Sequence, residues 1–170
     1  VGSEMCIRDS YGGGCELVAA LDFCYAAETA KFAQTEVKIG IIPGAGGTQT
    51  LARAVGERRA KELILSGTPF TAAQALEWGL LNAIYPQDDL LPATVETAER
   101  IAANAPIATR QAKQAIHKGL QMGLADGLAF EIEAYYRTIP TADRREGVAA
   151  FNEKREPKFG GRSDVPHSVT

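Results

Sequence analysis

Two glycine-rich turns, Gly12-Gly13-Gly14 and Pro43-Gly44-Ala45-Gly46-Gly47, each run directly into a helix-compatible segment, and they constrain the fold more than any other feature. Glycine permits left-handed backbone angles and close approach of a second group, and a helix opening there leaves its first N–H groups without intrahelical partners. The first turn opens a short buried helix through Cys15-Glu16-Leu17-Val18-Ala19-Ala20-Leu21, and Phe23-Cys24-Tyr25-Ala26 follows as a short strand. Residues 31–42 mix polar and β-branched residues up to Pro43, where the second turn feeds a helix through about Val55. Residues 57–65 and 71–78 read as two more helices, each closed by glycine, and residues 81–85 as a strand ended by Pro86. Residues 11–86 are therefore an α/β layer.

Beyond Asp88 the pattern is helical throughout. Leu91, Val95, Ala98 and Ala102 form one apolar stripe, Ala108, Ala112, Ala115 and Ile116 a second, and Leu124, Leu128, Ile132 and Tyr135 a third. Pro106 suits the first position of its helix, and Thr141 suits the N-cap of a last helix running to about Arg155. This assigns 87–162 to a helical domain and 163–170 to a tail. Residues 1–10, VGSEMCIRDS, show neither strand alternation nor helical periodicity and read as a non-native leader.

The 170 residues carry a net charge of −3 with 45% hydrophobic residues, enough for one soluble domain with a real core. The acidic balance argues against nucleic acid as the main partner. No apolar run reaches the ~18 residues of a membrane span, and no secretory signal layout is visible. The expected location is therefore the cytoplasm or an organelle matrix. Three cysteines, Cys6, Cys15 and Cys24, without paired CxxC spacing support neither a disulfide framework nor a zinc site, and no metal is expected. From Asp143 to Arg162 six basic residues meet four acidic ones, so this end suits a small phosphorylated ligand.

Glu16 is the residue composition explains least. It is the only charge between Asp9 and Asp22 and sits one turn into an apolar helix. Burial there would raise its pKa toward acid/base use unless a partner holds it ionised, whereas a boundary position would leave it facing outward. The glycines before it suit an oxyanion held at the positive end of a helix, or simply a turn. G-x-G-x-x-G spacing is absent, and the second glycine turn lacks the Gly-Lys-Ser/Thr ending of a phosphate-binding loop. Glu36 is either a solvated strand charge or a second acid/base. His117 and His167 have no neighbours at metal-ligand spacing. Phe151 and Lys154, three residues apart on the last helix, share a face that could stack a base and meet a phosphate, or be a core aromatic beside a solvated amine.

Taken together, GGGCEL (12–17), GIIPGAGGTQ (40–49), AKELILSG (60–67), EWGLLN (77–82) and DRREGVAAFNEKR (143–155) resemble the enoyl-CoA hydratase (crotonase) family. The resemblance covers Tyr11 to about Arg162. It implies a spiral of ββα units, truncated at its N-terminus here, followed by a C-terminal helical domain that assembles trimers or dimers of trimers. It implies that Glu16 and Glu36 are the two catalytic carboxylates, that the Gly13 N–H is an oxyanion donor, and that Gly44 lies by the acyl pocket. It also puts Phe151 and Lys154 against the CoA moiety, often that of a neighbouring subunit. The implied reaction adds water across an α,β-unsaturated acyl-CoA, with CoA as part of the substrate and no separate cofactor.

Two departures bear on specificity: Ala33-Gln34-Thr35-Glu36 stands where the family commonly has GQPE, and Thr50 replaces a common arginine. The stretch from Arg137 to Gly147 is also similar to methylglutaconyl-CoA hydratases, so the substrate stays open, and a double-bond isomerase or branched-acyl hydratase of the same family is the second enzyme reading. A non-catalytic CoA-binding or assembly module is the non-enzyme reading. Because the resemblance enters the family partway along, the chain is expected to be a C-terminal portion that does not hydrate crotonyl-CoA by itself.

Overall fold

Strands of two or three residues alternate with helices over the first part of the chain. The computed structural model describes residues 6–7 and 10–162, and the chain divides into two units between Ala98 and Glu99. The expected tail, with His167, lies outside the described residues.

In the first unit, β1 (Cys6–Ile7), β3 (Tyr25–Ala27) and β6 (Ala83–Tyr85) form a parallel sheet in the order β1-β3-β6. Cys6 is in register with Tyr25, and Tyr25 with Ala83. A second sheet pairs β2 (Ser10–Tyr11) parallel to β4 (Lys31–Ala33), which pairs antiparallel to β5 (Phe70–Thr71). The segment expected to be a leader thus supplies β1 and the first residue of β2. Two-residue strands cannot display an alternation, so their pairing leaves no signature in the sequence.

Helix α1 (Gly13–Ala20) starts where the first glycine turn ends, and it packs on α2 (Gly47–Val55), which starts where the second ends. Helices α3 (Glu57–Ser66) and α4 (Ala72–Glu77) follow, the latter opened by a capping box in which Thr71 and Gln74 satisfy each other's backbone N–H. Between β4 and α2 the chain makes a 3₁₀ turn, Glu36–Ile39, stopped by Gly40 at φ 82°. Strand therefore gives way at Ala33, well short of Pro43. The core is built from Cys15, Val18, Phe32, Leu51, Leu63 and Phe70 with small residues between them, and Phe70 stacks on Phe32 and tilts against Trp78.

Helix α5 (Gln87–Ala102) buries Leu90 and Thr94, whereas Leu91 and Val95 are exposed. The buried face is one residue out of phase with the expected stripe. Thr94 donates its hydroxyl to the Leu90 carbonyl at 2.7 Å, so a polar side chain is satisfied inside and a count of apolar residues misplaces the face.

In the second unit, α6 (Pro106–Gly119) packs on α7 (Leu124–Tyr136), and the two backbones meet at Gly119 and Gly127. Pro106 takes the expected opening position of α6. The third stripe forms as expected, yet Leu124, Leu128, Ile132 and Tyr135 are all exposed, and Leu124, Leu128 and Tyr135 border a groove of about 700 Å³ with Ile116 and Leu120. The last helix, α8 (Ala142–Glu153), is capped by Thr141, whose hydroxyl oxygen accepts from the Arg144 N–H. Among the described residues, no helix is long and apolar enough to cross a membrane, and no group of three His, Cys, Asp or Glu could hold a metal.

Candidate active site

The two glycine turns meet over Glu16. Helix α1 turns Cys15, Glu16 and Val18 inward, and Glu16 is only 4% exposed. Its Oε1 accepts from the backbone N–H groups of Ala45 and Gly47, both at 2.8 Å. These donors come from the second glycine turn, so one turn carries the carboxylate and the other cradles it. A Cβ on Gly47 would sit 2.8 Å from Glu16 Cγ and 3.0 Å from Pro43 Cβ, which is why this position takes glycine. Among the described residues, Glu16 Oε2 has no hydrogen-bond partner. One oxygen is fixed and the other is unengaged among the described residues.

Gln34 is the member of this cluster that sequence reasoning did not single out. It is fully buried behind Glu36, and its carboxamide satisfies both ends in one orientation. In that orientation Nε2 donates to Glu36 Oε2 at 3.1 Å and Oε1 at 3.3 Å, while the amide oxygen accepts from the Glu16 N–H at 3.3 Å. One buried amide therefore ties the Glu36 carboxylate to the backbone of Glu16. In sequence, Gln34 is one polar residue among several; only its burial distinguishes it.

Glu36 opens the 3₁₀ turn and is half-buried. A Cβ on Gly12 would come within 3.2 Å of Glu36 Oε1, so the bare backbone of the first turn lets this carboxylate approach the start of α1. Gly12 holds φ 55°, and Gly13 follows as the first, exposed residue of α1, where its N–H has no intrahelical partner by position. The geometry thus brings Glu16, Glu36 and Gly13 into one neighbourhood. Gly44 lies exposed in the loop that delivers the Ala45 and Gly47 donors. Burial, and then the nearby charges of Glu36 and Glu16, push the Cys15 thiol up to about 12 against the hydrogen bond from Gln34. That thiol stays protonated beside the two carboxylates.

Phe151 and Lys154 belong to the second unit. Phe151 is on the last turn of α8 and 84% exposed, at the rim of a hollow of about 370 Å³ that it shares with Val148 and Phe159. Lys154 is not on the helix face expected for it: α8 stops at Glu153, and Lys154 takes left-handed angles, φ 55° and ψ 40°. A shared face at a spacing of three requires a helix that continues. His117 is exposed and, among the described residues, hydrogen-bonds through its ring to Gln121, one turn on.

Comparison with known proteins shows the family. The family described as enoyl-CoA hydratase/isomerase matches residues 9–162. A Bacillus subtilis protein named as an enoyl-CoA hydratase/isomerase is 51% identical over 150 residues, 88% of this chain and 58% of its own length. The mitochondrial enoyl-CoA hydratase of Pongo abelii is 44% identical over 150 residues, 88% of this chain and 52% of its own. Among solved structures, the enoyl-CoA hydratase of Bacillus anthracis superposes with a TM-score of 0.89 at 49% identity, covering 91% of this chain and 60% of that one. The chain spans less than two thirds of the length of these relatives.

Proposed function

Because the chain belongs to the enoyl-CoA hydratase/isomerase family, we propose that it is the C-terminal portion of a hydratase that adds water reversibly to α,β-unsaturated acyl-CoA thioesters. The observation that carries this reading is the pair of carboxylates, Glu16 and Glu36, joined through Gln34 at a glycine-rich helix start.

Hydration needs a proton removed from water as its oxygen bonds to Cβ, and a proton delivered to Cα. Glu16 suits the first of these transfers, since the Ala45 and Gly47 N–H groups hold Oε1 and Oε2 is available to accept a proton from water. Glu36, protonated at the start of the step, delivers its proton to Cα. The π electrons of the alkene move toward the thioester oxygen between these events, and the Gly13 N–H stabilises that oxygen. Positioned proton transfer is worth typically ~10² to 10⁴ in rate for each group, and an oxyanion donor ~3 kcal/mol. At the end Glu16 carries the proton that Glu36 has lost, and exchange with water resets the pair. Both carboxylates being tied into one network favours hydration over isomerisation, for which one would suffice.

Phe151 and Lys154 contact the CoA moiety, the aromatic ring through stacking and the ammonium through a phosphate. The segment 87–162 assembles copies of the chain into trimers or pairs of trimers, and its exposed stripe of Leu124, Leu128 and Ile132 is apolar surface that assembly would cover. The acyl group is proposed only as a class, an enoyl thioester.

The test is hydration of crotonyl-CoA by a chimera that adds the part of the Bacillus anthracis enzyme this chain does not span. Loss of the conjugated-thioester absorbance supports the reading. Turnover of a β,γ-enoyl-CoA into the conjugated isomer, without hydration, would replace it with an isomerase.

A further inference from the structure

Lys154 is the only non-glycine residue with positive φ among the described residues, and the segment after it is tied down at several points. The Arg155 N–H donates to the Ala150 carbonyl at 3.1 Å and the Lys154 N–H to Phe151, which is the hydrogen-bond pattern of a Schellman turn with lysine where glycine is usual. A left-handed lysine persists where its surroundings hold it.

Those surroundings are two carboxylates three residues apart on α8. Glu146 takes the Arg155 guanidinium in a two-pronged ion pair, Nη1 to Oε1 at 2.6 Å and Nη2 to Oε2 at 3.0 Å, and also accepts the Lys158 N–H at 2.8 Å. Asp143, buried, accepts from the N–H groups of Gly160 at 2.7 Å and Gly161 at 2.9 Å. Phe159 completes the return by lying against Gly147, where a Cβ would stand 3.5 Å from its ring. The ion pair with Arg155, helped by the Lys158 N–H, holds the Glu146 carboxyl down at about 2, so the pair is intact at physiological pH. Lys154, at the apex of this return, makes no ion pair among the described residues. The adjacent Arg155 is engaged by Glu146 and by Glu153, whose Oε2 accepts from its Nε at 2.5 Å, and the Lys154 ammonium has no such partner among the described residues.

We propose that Glu146 and Asp143 are positioning residues for CoA: they clasp the segment 155–161 back along α8 and so hold Lys154 in the left-handed conformation from which its ammonium meets a CoA phosphate. This rests on the reading that Lys154 contacts CoA.

Titration with CoA, by calorimetry, of the same chimera used for the hydration test separates the two ideas. Lys154→Ala tests the contact itself and is expected to weaken CoA about tenfold, the loss of one charge-assisted phosphate contact. Glu146→Gln tests the clasp. It removes a negative charge near the site, so simple electrostatics would tighten CoA; positioning demands that it weaken, by roughly threefold to tenfold. Arg155→Lys keeps every charge while losing the planar fork, and it should weaken CoA likewise, which guards against a Glu146→Gln chain that fails to fold. In the Glu146→Gln background, Lys154→Ala should cost little more. Loss of affinity in Lys154→Ala together with unchanged or tighter binding in Glu146→Gln and Arg155→Lys would overturn the clasp and leave the CoA contact standing. Unchanged affinity in Lys154→Ala, in a chimera that binds CoA, would overturn the contact and the clasp with it.

Discussion

Gly47→Ala isolates the cradle that holds Glu16, because two physical effects on it have opposite signs. Gly47 is the first residue of α2, and helix propensity alone would have alanine stabilise the chain by up to about 1 kcal/mol. Against that, the new Cβ would lie 2.8 Å from Glu16 Cγ, 2.9 Å from its Oε1 and 3.0 Å from Pro43 Cβ. Glu16 is buried and cannot swing into solvent without giving up both N–H donors at 2.8 Å. Overpacking costs typically 1–3 kcal/mol, and a hydrogen bond to a charged group is worth about 1.5–3 kcal/mol, so partial loss of the cradle sums to roughly 2–4 kcal/mol. With an m-value of about 2 kcal/mol/M, the urea midpoint should fall by roughly 1–2 M. Gly44→Ala is the control in the same loop: its Cβ would meet only the Ile42 carbonyl, at 3.9 Å, and its midpoint should barely move. A Gly47→Ala midpoint equal to or above that of Gly44→Ala would refute the packing of Glu16 on this glycine.

Gln34→Met keeps the volume of the buried amide and removes its hydrogen bonds, so turnover in the chimera should fall by about 10 to 100-fold with CoA affinity little changed; a normal kcat would make Gln34 a filler. Because the Cys15 thiol is held near 12 when folded and ionises near 9.0 when unfolded, the unfolded chain releases its proton first as pH rises between these values. Stability should therefore decline across that window by up to ~1.4 kcal/mol per pH unit, and the decline should be shallower in Cys15→Ala, as read from urea midpoints at each pH. Iodoacetamide should spare Cys15 in the native chain at pH 9, and label it once urea unfolds the protein.

Helix starts are the most legible part of the fold, because their signals are chemical and local. The glycines before α1 and α2, Pro106 and the Thr141 cap each place an element from a few residues. What escapes a reading of the sequence depends on partners distant along the chain. Ser10-Tyr11 becomes a strand only because Phe32-Ala33 lies beside it, and Leu90 with Thr94 faces inward because Thr94 satisfies its own hydroxyl. Glu16 is visible as a lone charge in apolar sequence, yet the Ala45 and Gly47 donors that make its burial tolerable lie some thirty residues away. Gln34 carries no signal, since a polar residue in Ala33-Gln34-Thr35-Glu36 does not stand out until the fold buries it. Lys154 reads as part of a helical face because the sequence lacks the glycine that usually marks a left-handed helix end, and the ion pair that replaces it spans nine residues.

The carboxylate pair is tested most directly by crotonyl-CoA hydration in the chimera bearing Glu16→Gln, Glu36→Gln or both. If the two residues work as one unit, each single variant should lose about 10² or more in kcat while CoA affinity stays within a few-fold, and the double variant should fall little further than either. Near-normal turnover in either single variant would remove that residue from the reaction and contradict the shared role of Glu16 and Glu36.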